Sequence, residues 1–96
     1  MTYNKEFEMV WKEYPRKMGK KRSFEYFKKL RKEYDLETII KATKIFASEM
    51  KTRDSKYIKH GDGFFNNNKG LIYDYFDLIE LSEEQEIEVA TKEVVF

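Results

Sequence analysis

Asp35-Leu36-Glu37-Thr38-Ile39-Ile40-Lys41-Ala42-Thr43-Lys44-Ile45-Phe46-Ala47-Ser48-Glu49-Met50-Lys51 is the stretch on which the fold turns. Leu36, Ile39, Ile40, Thr43, Phe46, Ala47 and Met50 keep the spacing of one helical face for four turns. Asp35 stands where an N-cap belongs, with a carboxylate able to accept from the free amides of the first turn. A helix from Leu36 to about Lys51 follows, and so long an apolar face requires partners.

Those partners lie on both sides. Toward the N-terminus, Phe7, Val10, Trp11 and Tyr14 form one stripe of a helix from Lys5 to about Tyr14, with Asn4 as N-cap. Pro15 ends it, because the residue before a proline is pushed out of the α region. Arg16 to Gly19 reads as a tight connection, with Gly19 free to take a positive φ. A second helix then runs from Lys20 or Ser23 to about Tyr34, burying Phe24, Phe27, Leu30 and Tyr34 with Tyr26 alongside.

Toward the C-terminus, Thr52 to Lys56 is a polar loop and Tyr57 to Lys69 is irregular, with one short turn around Phe64 and Phe65. Leu71 to about Leu81 is apolar at helical spacing, along Leu71, Tyr75 and Leu78 and along Ile72, Phe76 and Ile79. Residues 82–96 are acidic and open to reading as strand, helix or tail. The expectation is an all-α domain over residues 1–81: a small bundle of three to four helices with an irregular aromatic, Gly- and Asn-rich segment, followed by an acidic C-terminal tail or added element at 82–96.

With 96 residues, 41% of them apolar and 39% charged, the chain has room for one modest core. No apolar run is long enough to cross a bilayer, and the first residues lack a signal-peptide hydrophobic region. The absence of cysteine excludes disulfides and points to the reducing cytoplasm. Aromatics, at 17%, supply much apolar area per residue ordered.

Catalytic chemistry finds little to work with. One histidine, no cysteine and no carboxylates at ligand spacing leave no expected active site, metal site or cofactor, and no small-molecule substrate. No glycine-rich loop ends in Gly-Lys-Ser or Gly-Lys-Thr, so nucleotide hydrolysis lacks its usual cradle. His60 is read as structural, bonding the backbone that Gly61 and Gly63 loosen, in preference to a phosphate contact or a charge switch.

Charge is the stronger signal. Through His60 there are 17 Lys and Arg against 9 Asp and Glu; from Gly61 onward there are 2 against 9. Arg16, Lys17, Lys20, Lys21 and Arg22 crowd the connection between the first two helices, and Lys28, Lys29, Arg31 and Lys32 extend the charge. Between Arg16 and Lys32 only Glu25 offsets nine bases. If the second helix begins at Lys20, its free amides and those lysines face the same solvent, which suits phosphate. The competing reading is a solvated lysine face, with some bases paired to Glu25 or Glu33. Tyr26 and Tyr57, flanked by basic or polar residues, are the candidates for stacking on unpaired bases, weighed against partial burial. Trp11, Tyr14 and Phe64 belong to the core.

Phe7, Trp11, Tyr14-Pro15, Lys17 and Gly19-Lys20, followed by the aromatic and basic helix, resemble a block found at the C-terminal end of phage and prophage replication proteins, the DnaD-like replisome organisers. Lys56-Tyr57-Ile58-Lys59-His60-Gly61, Phe64-Phe65-Asn66 and Tyr73-Asp74-Tyr75 resemble the second half of that block, so the likeness covers residues 5 to 77. It implies a helical accessory module of a phage or mobile-element replication system in a bacterial host, working near DNA, helicase loader or primosome. The family's proteins usually begin with a winged-helix DNA-binding domain, whereas few residues precede Phe7 here, which implies a free-standing copy. Asp62-Gly63 stands where small hydroxyl residues are more usual, and an acidic stretch follows Leu78.

Two functions of different class are expected from these features. One is a non-enzymatic module that holds nucleic-acid phosphates through the basic turn and helix. The other is a small phage-encoded inhibitor or adaptor of a host protein: a helicase loader, a clamp, or a nucleic-acid-guided defence nuclease such as a CRISPR effector. Glu83, Glu84, Glu86, Glu88 and Phe96 would then contact the protein partner. A plainer alternative is a structural fragment whose basic and acidic halves satisfy each other, within one chain or between the subunits of a dimer.

Overall fold

The computed structural model describes residues 3–81, which hold five helices and one 3-10 turn and no strand. Helix α1 spans Lys5–Trp11, α2 Lys20–Leu30 and α3 Leu36–Glu49; the 3-10 turn is Ser55–Tyr57, α4 is Gly61–Phe64, and α5 covers residues 72–81. The all-α bundle therefore has one short helix more than the sequence suggests. The predicted tail, with Glu83, Glu84, Glu86, Glu88 and Phe96, lies outside the described residues.

Local chemistry sets the helix starts. Asn4 accepts from the Phe7 amide at 2.7 Å and Asp35 from the Thr38 amide at 2.8 Å, each satisfying a donor with no partner inside the helix. The Thr38 hydroxyl, and then its amide, hold the Asp35 carboxyl below its ordinary range. Helix α2 starts differently, from Gly19 at φ +76°, a left-handed conformation that glycine adopts without penalty.

The ends are shorter than periodicity predicts. Helix α1 stops at Trp11 rather than Tyr14, and Glu13 and Tyr14 continue with amide bonds to the carbonyls of Val10 and Trp11. Ahead of Pro15 the α region is disfavoured, and unwinding swings the Tyr14 hydroxyl onto the Lys59 carbonyl. Helix α2 likewise stops at Leu30 instead of Tyr34, and Arg31 donates to the Tyr34 carbonyl at 3.0 Å to close the turn. Along α5 the buried line is Ile72, Tyr75, Phe76 and Ile79; Leu78, expected inside, faces solvent.

Helix α1 lies against α2 and α3, and α2 packs on α4. Rings form the spine of the core. Phe7 stacks on Trp11 at 5.6 Å, Trp11 on Tyr14 at 5.8 Å and Tyr14 on Phe46 at 5.7 Å, while Phe46 meets Phe64 at 4.6 Å. Such pairs add to the area they bury. Two small polar residues inside, Ser23 and Thr43, return their hydroxyls to carbonyls one turn back, those of Gly19 and Ile39.

The two sequence segments of the resemblance meet in space. Besides the Tyr14–Lys59 bond, Arg16 donates to the carbonyls of Lys56 at 3.2 Å and Ile58 at 3.0 Å, and the Gly61 amide donates to Met18 at 3.0 Å. Gly61 is required there, since a Cβ would lie 2.5 Å from a Trp11 ring carbon and 2.7 Å from the Ser23 hydroxyl. Burial among rings pushes the Tyr14 hydroxyl well above its ordinary pKa; the Asp62 charge adds to the rise and Arg16 opposes it.

Candidate nucleic-acid interface

Helix α2 buries Ser23, Phe27 and Leu30 at i, i+4 and i+7, so the opposite side must face water. That side carries Lys21, Arg22, Glu25, Lys28 and Lys29, with Lys32 just past the helix end; all six are exposed. At 1.5 Å per residue, Lys21 and Lys32 are roughly 16 Å apart along the axis. Lys28 meets Glu25 at 3.1 Å, an exposed pair worth little. Among the described residues, no carboxylate lies within ion-pair distance of Lys21, Lys29 or Lys32.

The other predicted bases are differently employed. Arg16 holds the carbonyls of Lys56 and Ile58, and Lys17 donates to those of Lys12 at 3.1 Å and Tyr14 at 2.9 Å, just beyond the end of α1. A cation there satisfies carbonyls that no longer have helical partners. Lys20 pairs with Glu8 at 2.9 Å and sits 4.8 Å from the centre of the Tyr3 ring. Arg31 grips Glu6 through two nitrogens at 3.1 and 3.3 Å, which raises its pKa further. Of the nine bases, four are thus engaged within the fold: Lys17, Lys20 and Arg31 by α1 and the turn at its end, and Arg16 by the 56–58 segment.

The N-terminus of α2 opens on a shallow depression of about 600 Å³ bordered by Lys20, Lys21, Arg22, Glu25 and Asp62. Asp62 stands close over Gly19: a Cβ on that glycine would be 2.8 Å from its carboxylate. Arg22 approaches the same group at 4.0 Å. The negative charge expected there from a phosphate is in part supplied by the chain, since a carboxylate near a helix N-terminus serves the same electrostatics.

Tyr26 is half-buried, with its hydroxyl 3.4 Å from the Asn66 amide nitrogen and its carbonyl accepting from Asn67 at 3.2 Å. That ring is tied to the asparagine run. Tyr57 differs: on the 3-10 turn it is 70% exposed, with the Lys56 amine 5.2 Å from its ring centre. Arg53, Lys56 and Lys59 surround it, so the basic flank that made Tyr57 a stacking candidate is wider than the adjacent residues suggest. His60 caps α4 through its carbonyl, which accepts from Gly63 at 3.0 Å and Phe64 at 3.2 Å; the imidazole, expected to bond the backbone, makes no such bond among the described residues.

Among the described residues no three His, Cys, Asp or Glu side chains gather as metal ligands, and no helix is long and apolar enough to cross a membrane. No curated protein and no solved structure matches the chain significantly. One family model does match, that of the Legionella vir region protein LvrA C-terminal domain, over residues 2–68. The matched span takes in α1, α2, α3 and both segments of the turn joined by Tyr14, Arg16 and Gly61. By that match, which covers well over half of its 96 residues, the chain belongs to the LvrA C-terminal domain family.

Proposed function

We propose that this domain is a non-enzymatic binding module that contacts nucleic-acid phosphates through the outer face of α2, in a phage or mobile-element replication system. One observation carries the reading: Lys21, Arg22, Lys28 and Lys29 share one exposed face of α2, with Lys32 just past its end, and Glu25 is the only acid that the helix itself places on it. Cations spread over roughly 16 Å of α2 and the turn that follows it match the repeated charge of a phosphate backbone better than a single small anion. The family name refers to a Legionella vir region; the link to replication rests on the sequence resemblance to DnaD-like proteins.

Fluorescence anisotropy with labelled duplex DNA at several salt concentrations tests the reading. Affinity falls with salt as counterions return to the phosphates, with a log–log slope of about −0.9 for each phosphate contacted. Absence of binding at low salt, or affinity indifferent to salt, contradicts it.

A second reading, an adaptor or inhibitor of a host nucleic-acid-processing protein, is favoured by Leu78 and Leu81. They are 47% and 55% exposed at i and i+3 on α5, an apolar edge of the kind that protein partners cover. Replacement of both by serine removes such an interaction and leaves DNA binding intact.

A further inference from the structure

We propose that the groove beside Tyr57 receives the base of an unpaired nucleotide, so that the domain prefers single-stranded to duplex nucleic acid. The inference rests on the nucleic-acid reading of α2 and adds to it a second site and a strand preference.

The groove has a volume of about 410 Å³, within the range of sites that enclose a small ring system. Phe46, Met50, Ile58 and Leu71 line its apolar part, and Tyr57 and Tyr75 supply aromatic walls. Arg53, Lys56 and Lys59 complete the lining, which includes no carboxylate. The nearest acids have other work: Glu49 accepts from the Tyr75 hydroxyl, and Asp54 caps the 3-10 turn at the Lys56 amide, its carboxylate 4.0 Å from the Lys56 amine. An aromatic surface ringed by three cations suits a flat base with a phosphate on either side. The depression at the N-terminus of α2, by contrast, contains Glu25 and Asp62.

The backbone under Tyr57 is anchored. Tyr57 lies on a capped turn, and that turn is fastened to the rest of the fold by Arg16 on the Lys56 and Ile58 carbonyls and by Tyr14 on Lys59. The aromatic face is thus presented to water before any ligand arrives, which lowers the ordering cost of binding. Lys59 borders this groove and Asp62 borders the depression at the start of α2, three residues further along the chain. A duplex presents stacked and paired bases, and insertion of one into the groove would require its extrusion.

The test compares a labelled oligothymidine with a labelled duplex of equal length, measured by anisotropy on the full chain at low salt. The expected result is tighter binding of the single strand. Tyr57→Ala should weaken it about tenfold while leaving the duplex unchanged, and Tyr57→Phe should restore it. Tyr57→Ala that binds oligothymidine as tightly as the unaltered chain overturns the proposal and leaves the α2 reading standing. Equal loss on both nucleic acids also overturns it. If neither nucleic acid binds, both readings fall.

Discussion

The turn at 14–19, with two bases, and the outer face of α2, with four and Lys32 just beyond, are adjacent in sequence, yet their cations serve opposite purposes. Arg16 and Lys17 look inward, each holding two carbonyls, whereas Lys21, Lys29 and Lys32 point to solvent. Density of positive charge along a chain therefore does not locate a binding surface. The discriminating question is what backbone acceptors lie within reach. A turn that follows a helix end leaves carbonyls unpaired and captures the nearest guanidinium or amine; a regular helix has already satisfied its own and leaves its side chains to the solvent.

Substitutions in the stitched turn and on the open face should accordingly separate stability from binding. The largest loss of stability belongs to Gly61→Ala, whose new methyl collides with the buried Trp11 ring and the Ser23 hydroxyl. Denaturant unfolding should show a cost of about 3 kcal/mol; a cost below a few tenths would mean that the two segments separate easily. Alkali should act next. The raised pKa of Tyr14, and that of Tyr75 pushed up to about 12, mean that the folded state prefers the protonated phenols. Their contribution is fully present below the ordinary tyrosine value of 10.0 and is lost as pH climbs through the folded values, so the midpoint of unfolding should fall steeply above pH 10. Tyr14→Phe should lessen that fall.

Arg16→Ala should cost about 1–2 kcal/mol, because it leaves two carbonyls of the 56–58 segment without their donor, and it should leave DNA affinity at low salt nearly unchanged. A large loss of DNA binding in a folded Arg16→Ala protein would break the contrast between the two regions. The smallest effect on stability falls on the open face, where Lys29→Ala should shift unfolding by no more than about 0.5 kcal/mol.

Much of this arrangement is legible in the sequence. Asn4 and Asp35 as caps, the apolar period of α3, Gly19 at positive φ and the aromatic core of Phe7, Trp11, Tyr14 and Phe64 all follow from local rules, and the structure contains them. What is illegible depends on distant neighbours. Glu6 and Glu8 of α1 reach Arg31 and Lys20, and Asp62 of α4 settles beside Gly19, so the sparse acid between Arg16 and Lys32 overstates the field of that segment. Helix α4 has four residues, two of them glycine, and so short a run shows no period. Leu78 fits an apolar line on α5 as well as Ile79 does; only the position of the neighbouring helices decides which is covered. The cluster around Tyr57 combines Arg53, Lys56 and Lys59 across a turn whose shape the sequence does not announce.

The most direct test of the account is the salt dependence of DNA binding for the unaltered chain and for a variant with Lys21, Lys29 and Lys32 all changed to glutamine, with Arg16→Ala measured alongside. If the outer face of α2 holds phosphates, the triple variant loses affinity at low salt and its log–log slope flattens by up to about 2.7, roughly 0.9 for each contact removed, while Arg16→Ala keeps the slope of the unaltered chain. An unchanged slope in the triple variant, or a slope lost in Arg16→Ala instead, would contradict the assignment of that face.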